Sequence, residues 1–276
     1  METTITPSRR RKRQFQAAVY AYYDNHGRDL PWRKTEDPYA IVVSEVMLQQ
    51  THASRVIEKY RQFMEAFPTV QSLAGAPLSE IYPLWQGLGY NRRALSLKKL
   101  AEIVVTDHDG KIPVEFIHLV KLPGIGPATA NSILAFAFNR PVVFIETNIR
   151  AVFIHHFFRD RHDIQDSEIL PLVEQTLDGN NPRRWYNALM DYGGALKKKF
   201  ANPGRKSAHY KKQAPFDGSD RQVRGAILKV LMESRRCTPS KLIDALPYDA
   251  SVIIENMKRL VKEGLVEEKG NYIRIA

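Results

Sequence analysis

From Phe15 to about Gly194, apolar residues recur at helical rather than alternating spacing, with prolines and glycines at the breaks. The pattern predicts helices over Arg10 to Asn25, Pro38 to Gln50, His52 to Phe67, Leu78 to Trp85 and Asn91 to His108. It continues with Glu115 to Lys121, Pro127 to Phe138, Thr147 to Phe158 and Pro182 to Tyr192. Beyond residue 215 the rhythm changes to a helix over Asp220 to Ser234, a short one over Pro239 to Leu246 behind Thr238, and a third over Asp249 to Glu263. Two short alternating segments then flank Lys269-Gly270-Asn271, a hairpin signal.

Three helices and a terminal hairpin suggest a winged helix, whose third helix carries Lys258, Arg259 and Lys262. Those cations are either a reader of a DNA groove or a solvated face. Between Lys197 and Lys212 stand seven Lys or Arg and no acid, which reads as a basic linker rather than packed structure. The organisation expected is therefore a helical domain over 10–195, a linker over 196–217 and a winged-helix-like domain over 218–276.

Composition adds a partner. The 276 residues carry 41 Lys and Arg against 30 Asp and Glu, a net charge of +11 and a pI near 9.6, the footprint of a protein that meets a polyanion. No apolar run approaches the roughly 20 residues that span a bilayer, and the basic start "RRRKRQF" leads into a mixed helix, so an intracellular protein away from membranes is expected. The single cysteine, Cys237, excludes an intrachain disulfide, a zinc site of several thiolates and an all-cysteine iron–sulfur cluster.

Three stretches carry candidate chemistry. In "SEVMLQQT" one carboxylate, Glu45, heads an apolar run on a helix. In "KLPGIGPATANSIL", Leu122-Pro123-Gly124-Ile125-Gly126 forms a tight turn between two helices. There Gly124 and Gly126 permit unusual dihedrals and close backbone approach, and the next helix points its N-terminal dipole at the same anion. This suits phosphate binding without sequence reading; an ordinary helix corner is the alternative. In "FIETNIRAV" a second acid, Glu146, precedes Thr147 and Asn148 at a helix start, where a capping role is the plain reading.

The stretches "LPWR", "PYAIVVSEVMLQQT", "WQGLGYNRRA", "LPGIGPATA" and "IETNIRAV", in this order, resemble the helix-hairpin-helix DNA glycosylase superfamily, and within it the adenine DNA glycosylases. The resemblance covers roughly residues 10 to 195. It implies an all-α, two-lobed fold, the hairpin gripping the backbone of double-stranded DNA at a mismatch or lesion, and a target nucleotide rotated out of the duplex at a cost of a few kcal/mol. By matching position it implies Gln50 and Tyr90 as a wedge filling the hole, Leu122, Gly124, Ile125, Gly126 and Thr129 on the DNA backbone, and Trp32, Arg33 and Asn148 around the extruded base. Trp32 is equally readable as a core tryptophan. Glu45 becomes a general acid kept protonated by desolvation, and Glu146 the carboxylate that stabilises the oxocarbenium ion. An alkali ion, Na⁺ or K⁺, at the backbone carbonyls of Val120, Leu122 and Ile125 is implied in the same way, as are a monomer and a DNA-associated place in cytoplasm or nucleoid.

The chain departs from the family at four places. The second acid is aspartate in the family and glutamate here, and one methylene moves the carboxylate. Bifunctional relatives place a lysine nucleophile at the position of Ala128, which offers no amine, so base excision without efficient strand cleavage is expected. Most relatives continue after "ALMDYGG" into four cluster cysteines, whereas this chain continues "ALKKKFANPGRKSAHYKK", so neither an iron–sulfur cluster nor another required cofactor is expected. The last 60 or so residues look like a winged helix where adenine glycosylases carry a nucleotide-hydrolase-like domain. The expected substrate is adenine opposite 8-oxoguanine or guanine; the alternatives are thymine, uracil or a modified pyrimidine opposite guanine, or a non-catalytic DNA-binding module.

Overall fold

The computed structural model describes residues 6–212 and 215–276. Its helices are α1 (Arg9–His26), α2 (Pro38–Leu48), α3 (Ala53–Ala66), α4 (Val70–Gly75), α5 (Leu78–Trp85), α6 (Arg92–Asp107), α7 (Phe116–Leu119) and α8 (Pro127–Phe138). They continue as α9 (Thr147–Phe157), α10 (Asp166–Thr176), α11 (Pro182–Lys199), α12 (Asp220–Ser234), α13 (Pro239–Asp244) and α14 (Ala250–Lys262), followed by strands β1 (Val266–Lys269) and β2 (Tyr272–Ile275). Short 3-10 turns lie at Pro31–Arg33 and Pro203–Lys206. Among the described residues no helix is long and apolar enough to cross a membrane. The described residues gather into two compact units: 6–41 with Val114–Val120 and Gly126–Lys212, and Val42–Pro113 with Lys121–Ile125 and 215–276.

In the first unit α9 is the central helix. Its Ile149, Val152, Phe153 and Ile154 are fully buried, as are Trp185, Tyr186 and Leu189 of α11, with Phe15 and Val19 of α1 joining the same core. Phe15 meets Phe153 at 5.2 Å and the edge of Trp185 at 5.9 Å, aromatic geometry that adds to area burial. The expected end of α11 at Tyr192 is corrected to Lys199. Gly193 is no stop: a Cβ there would lie 2.3 Å from the Asn148 carbonyl oxygen, so the glycine lets α11 approach α9. The basic segment behind it also differs from an unpacked linker. Pro203 and Ser207 are buried, and Ile164 and Ser207 form a β-bridge.

In the second unit Val56, Phe63, Leu73, Ile81, Trp85, Leu97 and Leu100 are completely shielded from solvent, and Phe63 packs edge-on against Trp85 at 6.1 Å. In the C-terminal part of this unit Val223, Ile227, Leu231, Leu242, Ile253, Leu260, Leu265 and Ile273 are buried. The order of α12, a β-bridge from Cys237 to Ile273, α13, α14 and the β1–β2 hairpin is that of a winged helix. The strands pair antiparallel from Val266↔Ile275 to Lys269↔Tyr272, which leaves Gly270-Asn271 as the two-residue turn. Of the cations on α14, Arg259 is engaged with Asp220 and Glu255, while Lys258 and Lys262 are exposed. α12 packs on α5.

Candidate active site

Asp37 starts α2: its carboxylate accepts from the N–H groups of Tyr39 (3.1 Å) and Ala40 (3.3 Å), with Pro38 behind it in the first helical position. Glu45 is the one acid of that helix. It is half-buried, while Val42, Val43, Ser44, Val46 and Met47 around it are within 1 % of complete burial. The helix stops at Leu48, two residues short of the expected Gln50, because Gln50 adopts φ 54°, the left-handed region that ends an α-helix.

Gln50 and Tyr90 sit on two loops of the second unit and share this conformation: Tyr90 has φ 49°. Non-glycine residues held there are strained, so something must fix them. That is Arg93, which the sequence reading did not single out. Its Nη1 donates to the carbonyls of Val46 (2.8 Å), Met47 (2.8 Å) and Gln49 (2.6 Å), and its Nη2 to Thr51 Oγ1 (3.0 Å) and the carbonyls of Leu88 (3.3 Å) and Gly89 (3.0 Å). One guanidinium thus ties the end of α2 to the Gly89-Tyr90 turn. Burial pulls its pKa down to about 10, so it stays charged at neutral pH. Gln50 is exposed and Tyr90 half-exposed.

The hairpin turn lies beside them in the same unit. Leu122 and Ile125 are buried, so they anchor the turn and offer only backbone groups outward. Ile125 N–H donates to the Leu122 carbonyl (3.1 Å), and the Gly124 carbonyl accepts from Gln49 Nε2 (3.0 Å). Gly124 has φ 81° and a Cβ there would press on Ser96 at 3.0 Å, so both conformation and space demand glycine. Gly126 differs from expectation. Its φ of −88° is open to any residue, and nothing lies within 4 Å of its Cβ position, so its use is the open approach it leaves in front of α8. No side chain caps α8, and its first turn carries Ala128, which is exposed, and Thr129, which is half-exposed. Of the carbonyls expected to hold an alkali ion, that of Leu122 keeps one lone pair after serving Ile125, which fits a cation ligand.

The remaining expected residues lie in the first unit. Glu146 is the N-cap of α9: its Oε1 accepts from the N–H groups of Asn148 (2.6 Å) and Ile149 (3.1 Å), and its Oε2 from Thr147 Oγ1 (3.0 Å) and Asn148 Nδ2 (3.4 Å). Asn148 Oδ1 in turn accepts from Lys197 Nζ (2.9 Å). Burial lowers the pKa of Lys197 and the Glu146 charge works against that shift. Lys197 was read only as part of a basic run; its half-buried contact with Asn148 has no sequence signal beyond that run. Arg33, expected near the base, forks onto Asp191, Nη1 to Oδ2 and Nη2 to Oδ1, both at 2.8 Å. Asp191 is almost fully buried, which pushes its pKa up. The Arg33 hydrogen bonds and charge, with Arg28, outweigh that and hold it below the usual range. Trp32 is buried in the adjoining turn.

A glycine-turn hairpin, a helix-borne acid and two clamped loops in one chain define a class. The family model of the HhH-GPD superfamily of base excision DNA repair proteins matches residues 43–175 of the chain. Among curated proteins it is 35% identical over 187 residues to the adenine DNA glycosylase of Buchnera aphidicola subsp. Baizongia pistaciae, covering 66% of this chain and 52% of that one, so it spans about half the length of that relative. It is 29% identical over 268 residues to the adenine DNA glycosylase of Mycolicibacterium smegmatis, covering 91% and 92% of the two chains. Among solved structures it is similar to a thermostable thymine-DNA glycosylase with a TM-score of 0.59 and 26% identity, over 67% of this chain and 86% of the other.

Proposed function

We propose that this protein is a monofunctional DNA glycosylase of base excision repair that removes adenine opposite 8-oxoguanine or guanine by hydrolysis. The observation that carries this reading is Glu45, a lone half-buried acid on an apolar helix. The likeness to a mycobacterial adenine DNA glycosylase along nearly all of both chains supports the choice of base. Glu45 donates its proton to a ring nitrogen of the extruded purine. The C1′–N9 bond then breaks with its electron pair leaving on the base, and the sugar becomes an oxocarbenium ion. Glu146, its carboxylate fixed by the start of α9, opposes that positive charge until water adds at C1′ and loses a proton. Gln50 and Tyr90 fill the hole left in the stack, and the hairpin holds the phosphates; the backbone carbonyls of Val120, Leu122 and Ile125 would hold an alkali ion, which would neutralise part of the phosphate charge. Ala128 supplies no amine, so no Schiff base forms and the strand stays intact.

A second reading rests on the likeness to a thymine-DNA glycosylase. A pyrimidine lacks the purine ring nitrogen that Glu45 protonates, so Glu45 would then act through water or the sugar cation. Single-turnover assays on end-labelled duplexes carrying adenine opposite 8-oxoguanine, adenine opposite guanine, and thymine or uracil opposite guanine separate the two. Alkali-dependent cleavage on the adenine duplexes is the expected result. Cleavage only at a pyrimidine moves the substrate to the second reading, and tight binding with no excision on any duplex leaves a non-catalytic binding module.

A further inference from the structure

Tyr90 has a partner 131 positions away that the excision mechanism does not use. Arg221, in the first turn of α12, donates from Nη1 to Tyr90 Oη at 2.9 Å and from Nη2 to the Pro215 carbonyl at 3.2 Å. Its guanidinium carbon lies 5.7 Å from the centre of the Tyr90 ring, and that of Arg93 lies 5.5 Å from the same centre. The tyrosine is therefore held at both ends. Arg93 fixes the strained backbone of its turn, and Arg221 fixes the phenol tip. α12 is placed to do this because its packing on α5 sets it beside the turn that follows that helix.

We propose that Arg221 is a positioning residue through which the C-terminal winged-helix-like domain orients Tyr90 for insertion into DNA. The proposal rests on the reading of Tyr90 as the wedge. A tyrosine side chain on an exposed turn samples several rotamers, and ordering it only when DNA arrives costs free energy at that step. A cation bonded to the hydroxyl restricts where the ring points before DNA arrives. The C-terminal domain then contributes to base extrusion without reading a base.

The test is a double-mutant cycle on Arg221→Ala and Tyr90→Phe, in the full chain. It is followed by single-turnover excision and by 2-aminopurine fluorescence at the target site, which reports extrusion without chemistry. Losing a charge-assisted hydrogen bond corresponds to about tenfold. Each single variant should lower extrusion and excision of a paired target about tenfold, with the double variant no worse than either. The Arg221→Ala penalty should vanish when the target faces an abasic site and is already unstacked, a response that loss of folding would not produce. An unchanged Arg221→Ala protein, or losses that multiply in the double variant, overturns the proposal. Should Arg221→Ala not fold, Tyr90→Phe, which deletes one hydroxyl, carries the same paired-target comparison against Tyr90→Ala: equal losses support the role of the hydroxyl, and a Tyr90→Phe protein at wild-type level refutes it. Tyr90→Ala at wild-type extrusion removes the wedge reading itself.

Discussion

Glu45 and Glu146 are held in opposite ways. The Glu146 carboxylate is occupied by two backbone N–H groups, a threonine hydroxyl and an amide, all from the start of its own helix. Glu45 sits within α2 with apolar or buried neighbours on either side. A helix start immobilises the carboxylate that caps it, whereas a side chain within a helix is placed by what packs around it. In the proposed reaction these two acids take different roles, proton donation and charge stabilisation.

This contrast can be broken one residue at a time. The largest effect is expected at Glu45: Glu45→Gln should slow single-turnover excision by about 10²-fold or more, the usual range for a general acid, while binding to lesion duplex stays within twofold or so of wild type. Next comes Arg93, since Arg93→Ala strips the guanidinium from five carbonyls, four of them on buried or half-buried residues; a loss of about 3 kcal/mol in chemical denaturation is expected, only partly recovered by Arg93→Lys, which lacks the fork. Glu146→Ala should cost about 1 kcal/mol through the lost cap and also reduce excision, and Glu146→Asp, a preferred capping residue, should restore the stability. A Glu146→Ala protein of unchanged stability would contradict the capping geometry.

The smallest effect is a pH dependence in the first unit. His156 is packed edge-on against Phe15 at 5.1 Å and bonded to Tyr192 Oη at 3.0 Å. Burial, with the charges of Arg159 and Arg11 beside it, pulls its pKa down to about 4. The unfolded chain binds this proton more readily, so the contribution is complete above the ordinary histidine value of ~6.5 and is lost as pH falls toward 4. Thermal melts over that window should show a shallower decline for His156→Gln than for wild type.

Features with local chemistry were readable in the sequence. "LPGIGPATA" marks its turn because Gly124 needs a left-handed backbone and Pro127 suits a first helical position. The alternation around Lys269-Gly270-Asn271 gave the terminal hairpin. What escaped depends on distant partners. Arg93 looked like one more cation in "NRRA", yet its bonds reach back to Val46 across 47 positions. Gly193 looked like a helix stop, and its packing reason lies on α9. α10, which the helical spacing did not predict, carries Pro171 inside it. Lys197 belongs to a basic run, and no spacing singles out it or Arg221.

The measurement that tests the central claim most directly is product analysis of a single turnover on duplex carrying adenine opposite 8-oxoguanine, with borohydride present in a parallel reaction. The account predicts free adenine, a strand that breaks only after alkali, and no covalent protein–DNA adduct. Adenine still attached to tightly bound DNA, or an adduct trapped by borohydride, would contradict it.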